Sequence, residues 1–269
     1  MTEKRKTVRD IAKQKGQNKI VCLTAYTAPF AQILDNHVDI LLVGDSVGMV
    51  LYGMESTLGV TLDMMINHGK AVVSHSKKSL VVVDMPFGSY QKNKEQAFEN
   101  CARVLAETGC GAVKIEGGVE MAETIEYLTK RGIAVMAHIG LLPQSVNSQG
   151  GYRTHGKTDE EYKSIIADAK AVEKAGAFSV VLEGVVADLA HEITDLLKIP
   201  TIGIGASGAC DGQVLVTEDM IGLSEITPKF VKKFGNAREN IEQAVKDFST
   251  DVRSGKFPEK ANFTNKKLA

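Results

Sequence analysis

The 269-residue chain carries 32 Lys plus Arg against 33 Asp plus Glu, a formal charge of −1, and is long enough for one large α/β barrel or two small domains. A charge so near zero argues against a nucleic-acid or membrane-surface partner held by bulk electrostatics, and no stretch approaches the ~20 apolar residues of a membrane span. The four cysteines, Cys22, Cys101, Cys110 and Cys210, show neither C-x-x-C pairing nor zinc-like spacing, which suits buried thiols in a reducing cytoplasm.

The opening Met-Thr-Glu-Lys-Arg-Lys has no apolar core behind it, so no signal peptide is expected and a cytoplasmic protein follows. The apolar runs then predict a strand over 20–24, a helix over 29–37 and a strand over 40–43. A helix over 62–77, N-capped by Thr61, leads to a strand over 80–83. Helices over 94–107 and 121–130 close at Gly109 and Gly132, just ahead of strands over 112–115 and 134–138. A long connection, 140–157, carries four glycines, Pro143 and many polar residues; such a segment is either a lid or contact surface, or a solvated excursion. A helix over 158–175, capped by Thr158 and closed by Gly176, precedes a strand over 179–182. A helix over 187–197, strands over 201–204 and 214–216, a helix over 237–254 and a polar end, 260–269, expected to fray, complete the chain.

Continuous Val/Ile/Leu/Ala-rich runs separated by helix-like stretches are the pattern of parallel strands buried on both faces. Eight strands, most followed by a helix, predict an α/β fold: a single (β/α)8 TIM barrel over 1–269 with a C-terminal helical tail. An open doubly wound sheet is the alternative.

Asp45, Asp84, Glu116, His138 and Glu183 each follow, or end, one of these runs. Strand carboxyl ends are where chemistry sits in such folds, so five titratable groups there predict a site. Hard carboxylate oxygens without cysteine partners favour Mg2+, with Asp45 and Asp84 as ligands and Glu116 as a third, directly or through water. Each acid taken alone better suits a helix cap or a pair with a nearby base; the set together favours a site. Glu183, followed by Gly-Val-Val, could be raised by partial burial into the range of a general base, or be a salt-bridged rim acid. His138 is either a hydrogen-bonded core residue or a contact to substrate. Lys114, two residues before Glu116, shares its face and could bind a substrate carboxylate or form a Schiff base. Gly203-x-Gly205-x-x-Gly208 comes late and opens no expected helix, so tight turning suits it better than a dinucleotide; His68 and His75, seven apart, suit packing or solvent.

Several long strings closely resemble the ketopantoate hydroxymethyltransferase family. They include Val43-Gly-Asp-Ser-Val-Gly48, Asp84-Met-Pro-Phe-Gly-Ser-Tyr90, Val113-Lys-Ile-Glu-Gly-Gly118, His138-Ile-Gly-Leu, Gly150-Gly-Tyr, Glu183-Gly-Val and Asp211-Gly-Gln-Val-Leu-Val216. The resemblance runs from about residue 7 to 257. It implies a TIM barrel assembled as a homodecamer. It also implies hydroxymethyl transfer from 5,10-methylenetetrahydrofolate to 3-methyl-2-oxobutanoate, giving 2-dehydropantoate for pantothenate synthesis. On the matching positions it implies Asp45, Asp84 and Glu116 as Mg2+ ligands, Ser46 and Lys114 as contacts to the oxo-acid alongside Asp45 and Asp84, and Glu183 as proton acceptor. Gly59, Met64, Leu142, His155 and Ser207 depart from the family's usual residues, none at a proposed catalytic position. A Mg2+-dependent lyase or phosphoenolpyruvate mutase of related architecture is a rival, but its cysteine-bearing Lys-Lys-Cys-Gly-His type loop is absent. A Lys114 Schiff-base aldolase and a non-catalytic barrel are the others.

Overall fold

The computed structural model describes residues 4–259 and 262. The polar end at 260–269 therefore lies, apart from Asn262, outside the described residues. The chain forms two compact units, one ending at Thr217 and the other beginning at Glu218.

The first unit is a closed barrel of eight parallel strands in sequence order, each hydrogen-bonded to the next and β8 to β1. The strands are β1 (Ile20–Thr24), β2 (Ile40–Val43), β3 (Leu80–Asp84), β4 (Ala112–Glu116), β5 (Val135–Gly140), β6 (Ser179–Glu183), β7 (Thr201–Ile204) and β8 (Gly212–Leu215). The barrel expectation is met and the open sheet excluded. Helices α1 (Val8–Ala12), α2 (Ala28–Leu34), α3 (Val47–Val50), α4 (Leu62–Ser74), α5 (Lys94–Thr108), α6 (Ala122–Thr129), α7 (Asp159–Lys174) and α8 (Ala187–Leu196) belong to this unit. The short α9 (Thr217–Met220) follows β8, and α10 (Ala237–Ser254) belongs to the second unit.

The two-residue period of a strand divides its side chains between two apolar clusters. Ile20, Cys22, Ile40, Leu42, Leu80, Val82, Ala112, Met136, Val181 and Ile202 fill the lumen, with Ile11 of α1 among them. Val81, Val83, Val113, Ile115, Val135, Ala137, Val180 and Leu182 face the helices. The same alternation places Asp84, Lys114, Glu116, His138 and Glu183 on the luminal face, toward the carboxyl ends of their strands.

Local chemistry accounts for most boundaries. Thr61 and Thr158 accept from the amides of Met64 and Glu161, as N-caps do. Gly109 takes φ 73° and returns its N–H to Leu105 O, ending α5. β3, β4 and β6 each run one residue further than their apolar runs, into the acid. The ladder follows backbone groups, which continue to pair after the side chains turn polar: Asp84 registers with Lys114 and Glu116 with His138. β8 starts two residues earlier than expected, at Gly212, where a Cβ would lie 2.5 Å from Ile20 O. The 140–157 connection is not featureless. It contains a 3-10 turn, Pro143–Ser145, and His155 pairs with Val185 beyond β6.

All four cysteines are free and buried. Among the described residues no helix is long and apolar enough to cross a membrane.

Candidate active site

Three neighbouring strand ends bring the acids together. Asp45 lies two residues beyond β2, and Asp84 and Glu116 are the last residues of β3 and β4. All three are at most 5% exposed. Gly44 permits the approach: a Cβ there would stand 2.7 Å from Ser46 Oγ and 3.7 Å from Asp84 Oδ2.

Each carboxylate has one oxygen tied to the protein. Asp84 Oδ2 accepts from Asp45 N at 3.1 Å and lies 3.3 Å from Lys114 Nζ. Asp45 Oδ2 accepts from Gln144 Nε2 at 2.8 Å, and Glu116 Oε2 from Gln144 N at 3.1 Å. The remaining oxygens of Asp84 (Oδ1) and Glu116 (Oε1) are buried and have no hydrogen-bond partner among the described residues. Buried acceptors are almost always satisfied, so two orphans on adjacent strands mark a place for a ligand.

The electrostatics agree. Burial pushes the Asp84 carboxyl up to about 7, against the pull of Lys114 and with the push of Asp45. Burial drives Glu116 up as well, again opposed by Lys114. Three acids and one ammonium leave negative charge uncompensated. An oxygen-only donor set of this kind fits a hard divalent cation. No three His, Cys, Asp or Glu side chains among the described residues form a ready cage. A cation here would thus take one or two of these carboxylates and complete its shell with water or substrate, the habit of Mg2+.

Lys114, 5% exposed, is driven down by desolvation but held above its ordinary value by Asp84, Glu116, Asp45 and Glu183. It is an ammonium, which favours binding an anion over nucleophilic attack. Its Nζ lies 3.0 Å from His138 Nδ1. An ammonium can only donate, so Nδ1 accepts and the ring proton sits on Nε2. Burial and then Lys114 hold His138 below its usual value, keeping the ring neutral. His138 Nε2 is 3.2 Å from Glu183 Oε2, and Glu183 is half-buried. Ser46 Oγ meets Tyr26 OH at 2.7 Å, and Tyr26 O meets His68 Nδ1 at the same distance.

All seven residues singled out in the sequence therefore gather at the carboxyl end of the barrel. Gln144 and Tyr90 were not singled out. Both are buried, and Tyr90 OH donates to Gln144 Oε1 at 2.7 Å and accepts from Glu116 N at 3.2 Å. A glutamine in a glycine-rich loop has no periodicity to betray its burial. The Gly203 motif opens no helix; Lys19 Nζ holds the carbonyls of Gly208 and Ala209 as the loop returns to β8.

A parallel barrel with titratable groups converging at its carboxyl-end mouth has the architecture of a TIM-barrel enzyme. The ketopantoate hydroxymethyltransferase family model matches residues 5–260, and the chain belongs to that family. It is an enzyme, a transferase. Similar proteins include the 3-methyl-2-oxobutanoate hydroxymethyltransferase of Paramagnetospirillum magneticum, 60% identical over 256 residues that cover 95% of this chain and 93% of that one. The protein of the same name from Bartonella quintana is 58% identical, covering 97% and 94%. Among solved structures, phosphoenolpyruvate phosphomutase from Streptomyces platensis subsp. rosaceus superposes with a TM-score of 0.62 at 13% identity, covering 93% of this chain and 88% of that one. Phosphonopyruvate hydrolase in complex with oxalate and Mg2+ gives 0.58 at 14%, covering 97% and 93%. At such identities the likeness is one of fold.

Proposed function

We propose that this enzyme transfers a hydroxymethyl group to 3-methyl-2-oxobutanoate, with 5,10-methylenetetrahydrofolate as donor and water as the source of the hydroxyl, yielding 2-dehydropantoate for pantothenate synthesis. The observation that carries the reading is the set of buried carboxylates, each with one oxygen tied and with Asp84 Oδ1 and Glu116 Oε1 unpartnered. Asp45 and Asp84 would hold Mg2+, with Glu116 completing the site through water. When bound, Mg2+ would supply positive charge against the oxygen that becomes anionic as the substrate enolises.

The chain's own residues do the rest. Lys114 offsets the carboxylate charge of the oxo-acid, and Ser46, Asp45, Asp84 and His138 line its seat. Glu183 takes the proton from the carbon beside the ketone. The carbon nucleophile so formed attacks the methylene carbon as one of its two carbon–nitrogen bonds to the folate breaks. Water then displaces the second nitrogen, leaving the hydroxymethyl product and tetrahydrofolate, whose two nitrogens take up the substrate's proton and one from water. Burial of the acidic layer excludes water from the proton-transfer step. The reading extends to one catalytic domain over 1–269, a cytoplasmic location and a homodecamer, each resting on the sequence and its resemblance.

The test is formation of 2-dehydropantoate from the oxo-acid and the folate, with Mg2+ and again with excess chelator. Product that disappears with chelator is expected. Absence of product from well-folded, Mg2+-supplied protein would overturn the reading.

A further inference from the structure

The proposed metal acids are not set by their own strands alone. Gln144, 4% exposed, arrives from the 140–157 connection and reaches two of them at once. Its Nε2 donates to Asp45 Oδ2 at 2.8 Å and to Met85 O at 2.9 Å, and its backbone N donates to Glu116 Oε2 at 3.1 Å. Its Oε1 accepts from Tyr90 OH at 2.7 Å and Gln91 Nε2 at 3.1 Å. Both side-chain donors and both lone pairs are thus engaged. Turned over, the amide would set its oxygen against the Asp45 carboxylate, so the network dictates one orientation.

We propose that Gln144 is a positioning residue for the cation. By occupying Oδ2 of Asp45 and Oε2 of Glu116, it turns the other oxygen of each acid toward the ligand. Because the same residue anchors the 140–157 connection, cation binding and closure of that segment stabilise each other, as linkage requires. Its far end is anchored separately, with His155 N donating to Gly184 O at 2.8 Å and Val186 N to His155 O at 3.0 Å. The inference rests on the cation reading above and goes beyond it in assigning a role to a residue outside the three acids.

The experiment is titration of the full-length protein with Mn2+ alone, read by electron paramagnetic resonance, for wild type and Gln144→Leu. Hydrogen exchange of residues 141–157 is followed with and without Mn2+. The expected result is Mn2+ affinity lowered ~10–100-fold, the usual effect of removing a residue that orients a ligand. Mn2+-induced protection of 141–157 should be seen in wild type and lost in the variant. Affinity within two-fold of wild type, or equal protection in both, overturns the proposal. If Gln144→Leu does not fold, Tyr90→Phe, which removes the hydroxyl holding Gln144 Oε1, should weaken Mn2+ several-fold, and an unchanged affinity there overturns it equally. Wild-type protein that binds no Mn2+ removes the cation reading as well, a result distinct from a variant that binds as wild type does.

Discussion

Acids occupy both ends of the barrel, and the two ends treat them in opposite ways. At the amino-terminal end, Asp211 Oδ2 accepts from Lys15 at 2.7 Å, Thr201 N at 2.9 Å and Thr201 Oγ1 at 3.1 Å, while Oδ1 accepts from Gly16 N at 3.1 Å. Asp35 gathers the amides of Lys77, Lys78 and Ser79, and Asp39 takes Lys6, Gln14 and Val21 N. Burial alone would raise these three carboxyls, yet their donors pull each below its ordinary value. At the carboxyl end, Asp84 and Glu116 are more deeply buried yet each keeps an unpartnered oxygen, and burial pushes both up. The first set staples loops to strand starts. The second keeps one unpartnered oxygen on each acid, the arrangement that the proposed cation site requires.

The largest expected effect is on the chemistry at the upper end. Glu183→Gln should lower turnover ~10²–10⁴-fold, the range for loss of a general base, while oxo-acid affinity survives. Calorimetric titration beside steady-state rates checks this, and joint loss of binding and turnover would undo the base assignment.

Next, the two ends should respond differently to removal of an acid. Asp211→Ala breaks a buried pair with Lys15 and strips two amides of their acceptor, so urea unfolding should show about 3 kcal/mol of lost stability. Asp84→Asn should leave metal-free stability nearly unchanged, because the amide keeps an acceptor for Asp45 N and burial already disfavours the charge beside Lys114. It should also abolish stabilisation by Mg2+. A cost for Asp84→Asn equal to that of Asp211→Ala would make Asp84 a staple too.

The smallest effect is in pH. Asp84 has a folded value of about 7 against an ordinary 3.8, so the folded chain keeps a proton that the unfolded chain loses. Metal-free stability from this group is full below about 3.8 and declines as pH rises through 7. The amino-terminal acids run the other way: their contribution is present above their ordinary value and falls away in acid. Mg2+ must displace the Asp84 proton, so its effect on the melting temperature should be greater at pH 8 than at pH 6. An equal shift at both would mean Asp84 is already ionised when the cation binds.

Much of this was legible along the chain. Val81 to Val83, Val113 to Ile115 and Val180 to Leu182 announce parallel strands because a strand buried on both faces must be apolar at every position. An acid where such a run ends is marked by the contrast with its neighbours. Thr61, Thr158 and Gly109 announce helix ends because capping is a contact between near neighbours. Where the ladder outlasted the apolar run, as at Asp84 and Glu116, the sequence placed the boundary one residue short.

The sequence by itself determined the repeating strand and helix units, the face on which Lys114 and Glu116 lie together, and the height at which the acids stand, since these follow from periods of two and 3.6 along a single segment. Only the closed barrel decided which oxygen of each acid stays free, which nitrogen of His138 carries the proton, and that Gln144 meets Asp45 from 99 positions away. Those are properties of groups brought together by tertiary closure, and no local pattern encodes them.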